Sequence, residues 1–283
     1  MNDPEVKVII LRAAGTNCDE ETAFAFQSTG AHVDLVHINK LLKGEATLRD
    51  YHILVFPGGF TYGDDIAAGK ILANELKLRL GGALRQFIND GKLILGICNG
   101  FQIMTKAGIL PGSISPSSDF KDEFIQKTTL TFNDSGKFED RWIYLKSSGR
   151  CVWTEELSEM IYLPIAHGEG KFVTDNEETL NQLKANHQIV FRYCDPKGNS
   201  AGYPFNPNGS MDDIAGITDA TGRILGLMPH PERHFLFIQH PYWTRLAQKG
   251  KFGDGAKIFE NGVNFIRKKF STQKNTESYV KIN

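Results

Sequence analysis

The chain predicts an α/β fold: a largely parallel sheet with helices on both faces. Short apolar runs alternate with helical patterns through the first half, and those runs are continuously apolar instead of alternating with polar residues. Continuous apolar strands between helices mark a sheet buried on both sides, as parallel pairing requires. A third observation is that glycine turns close two of the runs, Pro57-Gly58-Gly59 after one and Cys98-Asn99-Gly100 after another. In such sheets ligands sit outside the carboxyl ends of the strands, so these turns are where chemistry is sought.

The elements follow in order. Residues 6–11 (VKVIIL) predict a buried strand and 19–29 a helix; 33–38 is a second strand, ended by Asn39-Lys40. ILVF at 53–56 is a third strand. A long helical stretch over 66–89 is disturbed at Gly81-Gly82, with Asp64-Asp65 placed to cap it. LILGI at 93–97 is a fourth strand, running into Cys98 and a helix near 100–107. The second half is less regular. Strands are predicted at 127–132, 141–146, 160–165, 188–193 and 224–228, and helices at 176–186 and 256–270. Residues 199–210 (NSAGYPFNPNGS) are turn chemistry throughout and predict a surface loop. The expectation is a single domain over 1–270 followed by a polar, frayed tail at 271–283.

Composition bounds the function. A chain of 283 residues needs no disulfide or metal staple to bury a core. A net charge of −1 gives no electrostatic case for a nucleic-acid or membrane-surface partner. The four cysteines are scattered, with no Cys-x-x-Cys pair, which argues against a zinc site or a disulfide framework. The acidic start is no signal peptide, and no apolar run is long enough to span a bilayer. A cytoplasmic protein is expected.

The chemistry centres on Gly96-x-Cys98-x-Gly100 at a strand-to-helix junction. Glycines two residues either side permit a sharp turn that exposes the central side chain, as in a nucleophile elbow. A cysteine there meets a helix N-terminus, whose dipole and N–H groups favour the thiolate. A nucleophilic cysteine wants an imidazole and a group to orient it. His230, after an apolar strand and before Pro231-Glu232, offers both: residues two apart on extended chain face the same way, so Glu232 can fix the imidazole. The N–H groups of Gly59, in the Pro57-Gly58-Gly59 turn, and of Asn99 suit an oxyanion hole.

These three elements, in this order, resemble the class I (triad-type) glutamine amidotransferases. The resemblance implies a flavodoxin-like sheet, with Cys98 as nucleophile, His230 as base, Glu232 as third member, and Gly59 and Asn99 at the oxyanion hole. Six segments narrow it: GTNCD at 15–19, PGGFTYGDD at 57–65, GICNGFQIM at 96–104, PIAHGEGKF at 164–172, YPFNPNGS at 203–210 and GLMPHPER at 226–233. They resemble the family of glutaminase subunits of phosphoribosylformylglycinamidine synthase, over about residues 6–270. That resemblance implies hydrolysis of L-glutamine to glutamate and ammonia. The ammonia would pass to a large ATP-dependent synthase subunit, with any small third subunit, in purine biosynthesis. No cofactor or metal is expected in this chain; ATP and magnesium belong to the partner.

Weaker expectations remain. His167 and Glu169, in His-Gly-Glu-Gly, offer too few ligands for zinc, and the resemblance puts them on the glutamine side or at an interface. Cys18 has no base that the sequence supplies, so a structural or interface role is expected. Extra length near 113–127 and 146–159 has no functional reading. The alternatives are a glutaminase feeding imidazole glycerol phosphate or pyridoxal phosphate synthase, a related elbow-cysteine hydrolase or stress protein, and a non-enzymatic regulatory scaffold.

Overall fold

A computed structural model describes residues 5–64, 67–112, 124–148, 150–247 and 250–280. One nine-stranded sheet organises them, in the order β2-β1-β3-β4-β11-β10-β9-β6-β7. Its parallel half joins β2 (His32–His37), β1 (Lys7–Arg12), β3 (Ile53–Phe56), β4 (Leu93–Ile97) and β11 (Ile224–Leu227). β3 and β4 are buried at every position, the burial that their unbroken apolar sequences demand. The pairs beyond β11 are all antiparallel: β10 (Ile214–Thr218), β9 (Ile189–Cys194), β6 (Glu139–Ser147) and β7 (Met160–His167). Four reversals from β11 bring β7 back to the direction of β4, so its carboxyl end shares the edge where β1, β3, β4 and β11 finish.

The predicted helix at 19–29 is α1 (Asp19–Ser28), and the short α2 (Ile38–Leu42) occupies the Asn39-Lys40 turn, capped by His37 accepting from the Asn39 N–H at 3.2 Å. The stretch read as one disturbed helix is two, α3 (Lys70–Arg79) and α4 (Gly81–Asn89), parted at Leu80 beside the glycine pair. α3 starts later than expected and its capping residue is Gly69, not the Asp64-Asp65 pair, of which Asp65 lies outside the described residues. α5 (Asn99–Ala107) follows β4 directly. β5 (Thr128–Thr131) and β8 (Lys171–Thr174) form a separate two-stranded ribbon, and α6 (Glu177–Ala185) follows with Asn176 as its cap.

α7 runs from Ala256 to Val280, so the backbone stays helical where a frayed tail was expected from 271. Its first half is anchored by the extra segment at 146–159. Trp153 is fully buried there, its carbonyl takes a 3.1 Å bond from Asn261 Nδ2, and a side chain at Gly262 would meet the indole at 2.4 Å. The other extra segment, 113–127, falls mostly outside the described residues. The loop at 199–210 is only half a surface loop. Tyr203 is exposed, but Asn206, Asn208 and Ser210 are buried, because Asn208 Nδ2 donates to Gly170 O at 2.8 Å and Ser210 Oγ accepts from Phe172 N–H at 2.9 Å. Polar side chains enter the interior here by satisfying the backbone of the His-Gly-Glu-Gly turn.

Candidate active site

Four parallel strands end on one edge of the sheet, and each delivers a different part of the site. β1 leads into Ala13–Cys18, β3 into Pro57-Gly58-Gly59, β4 into Cys98, and β11 into Met228-Pro229-His230. These loops interlock. The Asn17 and Cys18 N–H groups both donate to Gly58 O, at 3.4 and 3.2 Å, and Phe60 N–H donates to Gly15 O at 2.9 Å. Gly59 holds φ +143, and a Cβ there would stand 2.8 Å from Gly15 O, so only glycine fits the turn.

Cys98 occupies the elbow with φ +50 and ψ −105, a conformation that costs a non-glycine residue roughly 1–3 kcal/mol. Its N–H bonds to Leu227 O at 2.8 Å, and its carbonyl accepts from Phe101 and Gln102 N–H at 3.0 and 3.1 Å. The flanking glycines let α5 press against the strand ends. A Cβ at Gly100 would lie 1.9 Å from Phe56 O, and one at Gly96 would lie 2.3 Å from Met104 Sδ. Gly100→Ala should therefore cost about 1–3 kcal/mol in urea unfolding, since backbone must move to admit the methyl. An unchanged unfolding midpoint would mean that α5 and β3 slide apart freely.

His230 and Glu232 come together beside this thiol. His230 is extended before Pro231, as expected, and the 3-10 turn Pro231–His234 that follows brings Glu232 into contact with it. His230 Nδ1 and Glu232 Oε1 are 2.6 Å apart, and both residues are about 1% exposed. The His230 N–H donates to Pro164 O at 2.9 Å, while the Cys98 thiol lies 3.7 Å from Ala166 O, so the end of β7 backs both residues. His230 Nε2 is buried and makes no hydrogen bond of ordinary geometry among the described residues. Burial alone would push the imidazole down. The Glu232 carboxylate, then the Cys98 and Cys18 sulfurs, outweigh burial and hold it well above its ordinary value.

Asn99 couples the glycine turn to the elbow helix. Its Oδ1 accepts from Thr61 Oγ1 at 2.7 Å, and its Nδ2 donates to Gln102 Oε1 at 2.9 Å. Gln102 Nε2 in turn donates to Glu169 O at 2.5 Å. Glu169 Oε2 lies 3.7 Å from Lys106 Nζ and accepts from Ala68 N–H at 3.3 Å, so its carboxylate ties α5 to the segment before α3. His167 is buried with neither ring nitrogen hydrogen bonded among the described residues. Burial, and then the nearby His230 charge, push it down to about 3, so it is neutral.

Cys18 departs from the sequence expectation in one respect. It stands next to a base after all: the Cys18, His230 and Glu232 donor atoms lie within 4.8 Å of one another, the one such metal-capable group among the described residues. These donors already serve each other, since Arg233 Nη2 donates to Cys18 Sγ at 3.2 Å and imidazole meets carboxylate. Arg233 and Gln102 were also missed. Gln102 lies four residues past Cys98, one helical turn on, which is a spacing the sequence offered.

A thiol on a strained strand-to-helix turn, a buried imidazole–carboxylate pair and helix-terminal N–H groups define a class of protein: enzymes that transfer an acyl group through a cysteine. Residues 5–266 match the CobB/CobQ-like glutamine amidotransferase domain. The chain is 46% identical over 274 residues to the phosphoribosylformylglycinamidine synthase subunit PurQ of Methanococcus maripaludis, spanning 93% of this chain and 99% of that one. It is 48% identical over 265 residues to the same subunit of Dehalococcoides mccartyi, spanning 93% and 98%. The structure of PurLQS from Thermotoga maritima contains a chain that superposes with a TM-score of 0.69 at 28% identity, covering 93% of this chain and 100% of that one. The chain belongs to the PurQ family of glutamine amidotransferases. No helix among the described residues is long and apolar enough to cross a membrane.

Proposed function

We propose that this chain is the glutaminase subunit of phosphoribosylformylglycinamidine synthase, with Cys98, His230 and Glu232 as its catalytic triad. The observation that carries the reading is the meeting of Cys98, on its strained elbow, with the buried His230–Glu232 pair at one sheet edge. The Cys98 thiolate attacks the side-chain amide carbon of L-glutamine. The Gly59 and Asn99 N–H groups receive the oxyanion, and the protonated His230 gives its proton to the departing ammonia. A glutamyl thioester remains; His230 takes a proton from water as the water attacks, and glutamate leaves with the thiolate and protonated His230 restored. Two acyl-transfer steps replace one direct amide hydrolysis.

The ammonia passes to a large ATP-dependent synthase subunit, with a small third subunit in the complex, for conversion of formylglycinamide ribonucleotide to formylglycinamidine ribonucleotide. ATP and magnesium act in that partner. The reducing cytoplasm suits a protein whose four cysteines are all free thiols. His167 and Glu169 border the glutamine side: Glu169 bonds through its backbone to Gln102, one helical turn from Cys98.

The test is glutamate release from glutamine by this chain with a purified synthase subunit, formylglycinamide ribonucleotide and ATP. Release should depend on the synthase substrates, and Glu169→Gln should raise KM for glutamine more than it lowers kcat. Full activity with an imidazole glycerol phosphate synthase partner, and none with this one, would move the chain to another pathway.

A further inference from the structure

The loop from β1 into α1 touches both working parts of the site, and the side chain that reaches furthest in is Cys18. Its backbone N–H donates to Gly58 O in the oxyanion turn at 3.2 Å, and its carbonyl accepts from Thr22 at the start of α1. Its sulfur faces the other way, toward His230. A methyl at Gly58 would meet His230 Cε1 at 2.8 Å and Cys18 Sγ at 3.0 Å, so these two groups close over the same point of the glycine turn. The sulfur is itself clamped. It lies 3.1 Å from Asn17 Oδ1 as donor and accepts from Arg233 Nη2 at 3.2 Å, while Arg233 Nε reaches Glu21 on α1 at 2.8 Å. Cys18 is 1% exposed.

We propose that Cys18 is a positioning residue for the base: its clamped sulfur fixes the His230 ring relative to the Cys98 elbow and ties that ring to the oxyanion turn. The inference rests on the triad assignment made above. Cys18 takes no covalent part. It is held by the start of α1, off the elbow, and burial pushes its thiol up, which disfavours a nucleophilic thiolate. What it contributes is a polarizable acceptor beside an imidazole that becomes positively charged when it takes the Cys98 proton. The groups facing that imidazole are Cys98 from the elbow, Cys18 from the β1–α1 loop, His167 from the end of β7, and Glu232 from its own turn. His167 is neutral, so of these Glu232, Cys98 and Cys18 favour the imidazolium.

The experiment uses the complex with the synthase subunit and compares wild type, Cys18→Ala, Cys18→Ser, Arg233→Met and Cys98→Ala. Cys18→Ala should lower kcat about tenfold with KM for glutamine unmoved, the cost of a loosened catalytic group. Its alkaline limb of kcat against pH should move to lower pH, since the imidazolium loses a stabilising neighbour. Cys18→Ser keeps a clamped acceptor of similar size and should recover most of the rate and the position of the limb. Arg233→Met frees the sulfur and should lower kcat as Cys18→Ala does, but without moving the alkaline limb to lower pH, because it also removes a neighbouring positive charge. A Cys18→Ala enzyme with wild-type kcat and limb would overturn the proposal, as would a rate loss that Ser fails to restore and that leaves the pH profile in place. Activity persisting in Cys98→Ala would instead overturn the triad beneath it.

Discussion

Cys98→Ala should abolish glutamine hydrolysis, lowering kcat by roughly 10⁴-fold or more, while the complex with the synthase still assembles. Removing a nucleophile from a group that works as a unit typically leaves only the residual effect of binding and oxyanion contacts. The substitution is structurally mild, because the elbow's geometry comes from Gly96, Gly100 and the bond from the residue 98 N–H to Leu227 O, none of which needs the sulfur. Relief of a strained side chain is at most a small gain, since alanine at φ +50 keeps a Cβ. The second thiol cannot substitute. Cys18 meets the same imidazole but from the β1–α1 loop, with its sulfur engaged by Arg233. An electrophilic glutamine analogue should accordingly label wild type once and the variant not at all, read by intact mass. Labelling of Cys18 in the variant, with turnover, would mean that the roles of the two thiols are exchanged.

How far this site could be seen in the sequence depends on how local its parts are. The elbow is local: a Gly-x-Cys-x-Gly after a fully apolar run states the turn and why each glycine is needed, but not that the central side chain ends up buried, with Cys98 only 4% exposed. The His230–Glu232 pair is local in sequence: His230 is extended before Pro231, and a 3-10 turn from Pro231 carries Glu232. The base beside Cys18 was not legible because its partners are distant: His230 is more than two hundred residues away, and no periodicity encodes that. The signal available was positional, since GTNCD follows a parallel strand and such strand ends converge. The antiparallel half of the sheet was harder for a similar reason. β10, IAGIT, is short, interrupted by glycine and bulged against β9, so its pattern is weak although every position is buried. The buried asparagines at 206 and 208 have the composition of a surface loop. Their partners explain why they point inward: Asn208 donates to Gly170 O of the facing turn, and Asn206 donates to Ser210 O and Asp213 within its own loop.

The second large effect belongs to the imidazole and its carboxylate, and its sign follows from the burial of both. His230→Asn should lower kcat about 10³-fold, since proton transfer to ammonia and from water loses its carrier. Glu232→Gln should cost about 10²-fold, within the range of acid–base contributions, and its pH dependence separates orientation from charge. In the wild type, burial would push His230 down, but the carboxylate 2.6 Å away holds it well above the ordinary value. The imidazolium therefore persists as pH rises toward that elevated value and is lost above it. A glutamine at 232 keeps the acceptor oxygen but removes the charge. Burial then dominates, His230 falls, and the alkaline limb of kcat moves to lower pH, so the penalty grows from the acidic side of the profile to the basic side. Proton NMR of the imidazole through the same titration reads the shift without turnover. A uniform loss across pH, with the His230 titration unmoved, would show that Glu232 only holds the ring in place and contributes nothing through its charge.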